Sequence, residues 1–165
     1  MSGPFGSNQF FGSAVDTTAY TPRGSIVLNG SDETLKDASS TAGDRRTFTI
    51  SMWIKKSNID VDFQVLAGAS DRNTFTDAIG IGAQGGGTND AFYMYVGGNT
   101  LSTSEVFRDP TAWYHVLWVV DTTQLSANNR VKVFVNGTYY YLSGTQPSVN
   151  LETNFNRSAS DYTHS

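Results

Sequence analysis

The chain has 165 residues, 38% of them hydrophobic and 16% charged, with a formal net charge of -4; that is enough to enclose one core and too apolar for a disordered chain. Mild acidity without a basic stripe argues against a nucleic-acid partner, and the absence of cysteine excludes disulfides, thiolate metal sites and cysteine nucleophiles. No stretch approaches the roughly 18 consecutive apolar residues of a membrane-spanning helix, and the start, MSGPFGSNQFFGSAV, lacks the basic and apolar regions of a signal peptide, so a soluble protein assembled in a reducing cytoplasm is expected.

Residues 1–23 are rich in Gly, Ser and Thr and carry Phe5, Phe10, Phe11 and Tyr20. They read either as a mobile leader or as an extended arm whose aromatic side chains fill pockets on a partner. From Gly24 the signals turn to strands. Ser25 to Leu28 is a short apolar run closed by Asn29-Gly30. Thr47 to Lys55 alternates, with Phe48, Ile50, Met52 and Ile54 on one face and Thr47, Thr49, Ser51 and Lys55 on the other. Trp53 falls on that second face, which implies that the face is partly covered. Phe63–Ala67, Ala78–Ile81 and Ala91–Val96 are further candidates, punctuated by Gly85-Gly86-Gly87 and Gly97-Gly98.

Trp113 to Val120 is apolar on both faces, as in a central strand packed on both sides. Arg130 to Val135 alternates into Asn136-Gly137 and then Thr138 to Leu142, a strong hairpin signal because both turn residues tolerate positive φ. No helical period persists beyond a turn or two. Residues 146–165 form a polar tail too weak for an interior strand. Many short strands without interleaved helices predict an all-β, two-sheet antiparallel sandwich over 24–145.

FTISMWIKKS (48–57), FRDPTAWYHVLWVVDTTQ (107–124) and NNRVKVFVNGT (128–138) occur in an order that resembles the laminin-G-like, concanavalin A-like jelly roll. More narrowly, they resemble the version found in virion proteins of bacteriophages, marine ones in particular. The resemblance covers about residues 24–145 and implies a jelly-roll sandwich. It also implies a virion protein: a capsid-surface decoration protein attached to the major capsid protein, or a capsid- or tail-borne module binding host surface glycans. After the hairpin such domains continue into two more apolar strands. The polar SVNLETNFNRSASDYTHS implies a reduced C-terminal part or an open edge, to be covered by the N-terminal arm or another subunit.

A catalytic reading finds little. Glycosidases on this fold place paired acids along one strand, about 5 Å apart; Asp60 and Asp62 are the nearest local pair and read as solvated loop carboxylates. His115 reads as a packed strand residue and His164 as part of the tail, so no enzyme is expected. Calcium is the cation that loop oxygens would take, with Asp71, Asn73, Asp77 and Asp121 as candidates. None has a recognised calcium-loop spacing, and turn capping explains them, so no cofactor is expected. Tyr139, Tyr140 and Tyr141 must split between two faces of a strand, so at least one packs inward and the others are available as a ligand surface.

Overall fold

A computed structural model describes residues 41–60, 63–71, 74–83, 88–158 and 163–164. The expected arm, its aromatic residues Phe5, Phe10, Phe11 and Tyr20, and the strand expected over Ser25 to Leu28 lie outside the described residues.

The two-residue periodicity becomes two antiparallel sheets. The first has four strands in the order β1 (Thr47–Ile54), β6 (Tyr114–Asp121), β7 (Val131–Val135), β8 (Thr138–Tyr140). The second has six, in the order β10 (Thr163–His164), β2 (Phe63–Asp71), β3 (Thr74–Gly82), β4 (Phe92–Val96), β5 (Asn99–Thr103), β9 (Leu142–Gly144). One 3-10 turn, Ala127–Asn129, is the only helical element among the described residues.

The core fills the space between the sheets. Val116, Trp118 and Val120 from β6 and Val131, Val133 and Val135 from β7 are buried against Ile79, Ile81, Phe92, Met94, Val96 and Leu101. Phe48, Ile50, Met52 and Ile54 of β1 pack on this cluster, as their alternation requires. The β7–β8 hairpin turns at Asn136 and Gly137, with φ of 50° and 80°, the left-handed pair that a two-residue hairpin needs. Asn136 also ties back to β6: its side-chain oxygen accepts the His115 amide at 2.8 Å and its own amide donates to the His115 carbonyl.

The expected strand Thr138 to Leu142 divides at Tyr141. Tyr140 stays in the four-stranded sheet, while Leu142 pairs with Thr103 in the other. The chain thereby crosses between layers, as a sandwich requires of at least one connection. β5, NTLST, gave no sequence signal because only Leu101 is a strongly apolar residue.

The C-terminal boundary drawn at residue 145 is corrected. Phe155, only 6% exposed, lies in the core and packs its ring 5.6 Å from Phe48. Arg45 holds the same segment, donating to the Thr153 carbonyl at 2.7 Å and pairing with Glu152. The Thr153 amide in turn donates to the Arg45 carbonyl at 3.0 Å. Buried Asp77 accepts the Gly97 amide and the Asn154 amide. The segment reads as polar because its backbone and short polar side chains make most of these contacts, with one ring as an anchor. Thr163–His164 then pairs with Ser70 and Ala69 at the edge of β2, so part of the pairing expected from an arm or another subunit comes from the C-terminus itself.

Candidate binding face

The outer face of the four-stranded sheet, which the sequence expects to be at least partly covered, is covered only in part. Trp53 is 65% exposed, and Leu117, Val119 and Phe134 are only half-buried. In the ladder, Trp53 stands opposite His115. Ser51, Leu117, Phe134 and Tyr139 form the next row, and Thr49, Val119 and Lys132 the row beyond. Alternation therefore delivers one side chain per strand to each row, on a sheet about 14 Å wide.

Ring contacts fix the ends of this surface. The Trp53 indole lies 5.0 Å from the His115 imidazole, which shares a 2.9 Å hydrogen bond with Ser51 Oγ. Phe134 and Tyr139 pack at 5.5 Å. Trp113, two residues before His115, is 57% exposed. Aromatic side chains left in water on one sheet face, Trp53 and Tyr139 each steadied by a neighbouring ring, are poised to bury area against a ligand at low ordering cost.

The three tyrosines divide as strand geometry demands. Tyr140 turns inward and meets the Phe107 ring edge-on at 5.3 Å. Tyr139 and Tyr141 are 46% and 59% exposed. The sequence points to all three tyrosines as a ligand surface, of which Tyr140 faces the core, and does not assign Trp53, Trp113, His115, Leu117 or Phe134 to it. The signal is present as apolar residues on the polar-parity face of β1 and on both faces of β6, a pattern that a covering layer would equally require.

The acidic candidates have structural employment. Asp60 accepts from Asn89 Nδ2 at 3.1 Å. Asp121 takes the Thr123 amide and hydroxyl and the Gln124 side-chain amide, and these bonds hold its carboxyl below the ordinary range. Burial pushes the Asp77 carboxyl up, against the pull of the Asn154 and Gly97 amides. Asp62, Asn73 and the side chain of Asp71 lie outside the described residues. Among the described residues no group of three or more His, Asp or Glu is placed to hold a metal.

A buried ionic cluster supports the loops at the Trp53 end of the sandwich. Asp90, with a fully buried side chain, pairs with Lys56, whose side chain is 2% exposed, and with Arg108 at 2.9 Å. The Asp60 amide donates to both Asp90 oxygens, at 3.0 and 2.9 Å, and the Phe107 amide donates to the Asp90 carbonyl. Burial alone would raise the Asp90 carboxyl; the hydrogen bonds from Lys56, Arg108 and Asp60 outweigh it and hold the group below the ordinary range. One carboxylate thus pins the loops after β1, before β4 and before β6.

The family model of the concanavalin A-like lectin/glucanases superfamily, Laminin_G_3, matches residues 29–164. The chain belongs to this family. The match runs through the C-terminal segment, in accord with the place of Phe155 in the core. No curated protein and no solved structure matches the chain. A concanavalin A-like domain is compatible with carbohydrate binding. The superfamily also contains glucanases, so fold membership alone assigns no activity.

Proposed function

We propose that the protein is a non-enzymatic saccharide-binding module of a bacteriophage virion, holding host surface glycans on the outer face of its four-stranded sheet. The observation that carries the reading is Trp53, left largely exposed on a strand while its ring rests on an imidazole tied to Ser51. Pyranose rings stack on such aromatic faces, and Ser51, His115 and Asn136 offer hydrogen-bonding groups beside them. Covering about 100 Å² on each of Trp53 and Tyr139 contributes about 5 kcal/mol at about 25 cal/mol/Å² before ordering costs. The non-enzymatic part of the reading is supported by the sequence, in which the paired acids of a glycosidase strand have no counterpart. The virion setting is supported by the three ordered motifs and their resemblance to phage virion proteins.

An array of bacterial surface glycans tests the reading. Wild-type protein should bind a subset of them, and Trp53→Ala should lose that binding while unfolding at an unchanged temperature. Binding that survives Trp53→Ala together with Tyr139→Ala would refute it.

The same motif resemblance favours a second reading, a capsid-surface decoration protein attached to the major capsid protein. In that case truncating residues 1–23 should abolish attachment to the particle and leave the sandwich folded. Truncated protein that still decorates capsids would count against the arm as the attachment device.

A further inference from the structure

The charge of the saccharide can be read from Lys132 on the same face, an inference that rests on the platform reading above. Lys132 stands in the outer-face row beyond Phe134 and pairs across the ladder with Val119. Tyr139 is its diagonal neighbour, about 8 Å away from strand and residue spacing. Tyr141, exposed, follows Tyr140 where the chain leaves the sheet. Lys55 continues the alternation of β1 beyond Trp53 and is exposed.

Neither lysine forms a salt bridge among the described residues, whereas Arg45, Lys56 and Arg108 all do. Hydrogen bonds from Thr111 and, less strongly, the charge of Lys55 hold the Asp109 carboxyl below the ordinary range, so Lys55 already has a carboxylate within electrostatic reach. Asp121 is folded onto Thr123 and Gln124, and Asp109 onto the Thr111 amide and hydroxyl. Lys132, without an ion pair among the described residues, therefore borders an aromatic face in a chain of net charge -4. The partial burial of Lys132 strengthens any ion pair it makes relative to one in open water.

We propose that the platform takes an anionic saccharide, with Lys132 holding a carboxylate or sulfate of the sugar whose ring packs on Tyr139. The interaction is a point-charge contact, so it selects negative charge and tolerates either kind of anion.

The test is a glycan array carrying uronate-containing, sialylated and sulfated glycans beside their neutral parents, including an oligogalacturonate and its methyl ester. Acidic members should bind about twofold to fivefold more tightly than their parents at low salt, with the difference shrinking as salt rises. Lys132→Gln should erase that preference, bringing each acidic glycan to the affinity of its neutral parent. Trp53→Ala should weaken both. Equal binding of acid and ester, or a preference that survives Lys132→Gln, would overturn the anionic assignment while leaving the platform standing. Failure of every glycan to bind, or indifference to Trp53→Ala, would remove the platform and the assignment together.

Discussion

Replacing Asp90 by Ala should be among the most damaging single changes in this domain. The substitution leaves the ammonium of Lys56, 2% exposed, without its counter-ion, and withdraws acceptors from Arg108 and the Asp60 amide. Breaking a buried pair by removing one partner costs about 3–5 kcal/mol, because the surviving charge cannot regain water. With a urea m-value of about 2 kcal/mol/M, the unfolding midpoint should fall by about 1.5–2.5 M. Lys56→Met in the same chain removes the stranded charge and keeps most of the volume, so the double variant should recover a large part of the loss.

The pH dependence has a definite sign. The folded-state carboxyl of Asp90 lies below its ordinary 3.8, so its contribution is fully present above that value and disappears as the pH falls through 3.8 toward the folded value. The double variant should therefore show a flatter acid limb in its stability curve than wild type. Equilibrium urea unfolding followed by tryptophan fluorescence from pH 3 to 7 reads both effects. If Asp90→Ala costs under about 1 kcal/mol, or the double variant is no more stable than the single, the cluster does not hold the loops as described.

Three further outcomes follow from packing and backbone geometry. Phe155→Ala should cost about 3–5 kcal/mol in the same unfolding assay, since a buried ring that meets Phe48 is replaced by a cavity; a loss below about 1 kcal/mol would return the segment to the status of a tail. Gly144→Ala should destabilise by more than about 1 kcal/mol, because φ there is 112° and an added Cβ meets the Thr100 carbonyl oxygen; thermal unfolding checks it. Trp53→Ala, by contrast, should change stability by no more than about 0.5 kcal/mol, as expected for a mostly exposed residue whose place in the fold is a surface.

Much of the architecture is legible in the sequence for a simple reason. Alternation from Phe48 to Ile54 and from Val131 to Val135 fixes which side chains face the core, and Asn136-Gly137 fixes the hairpin that orients them. β5 and the segment around Phe155 are harder to read. Their place depends on long-range pairing and on backbone hydrogen bonds, which polar sequences make without any periodic signature. The crossing at Tyr141 is similarly silent, since five consecutive strand-forming residues carry no mark of the sheet to which each belongs.

The binding face was visible but open to two interpretations. Trp53 on a polar-parity position and apolar residues on both faces of β6 are what a doubly packed strand requires, and also what an exposed docking surface requires. Only the exposure of Trp53, Trp113 and Tyr139 in the folded chain separates the two. Tyr140 shows the converse: a residue grouped with its neighbours as a ligand surface turns inward onto Phe107 because strand geometry allows no other choice.

The three tryptophans provide the most direct measurement of the central claim. Trp53 and Trp113 are exposed on the proposed face, while Trp118 is fully buried between the sheets. In a titration followed by the indole N–H resonances, a glycan selected on the array should shift Trp53 and Trp113 and leave Trp118 in place. A saturable shift confined to Trp118, or binding that moves none of the three, would locate the ligand elsewhere and contradict the account.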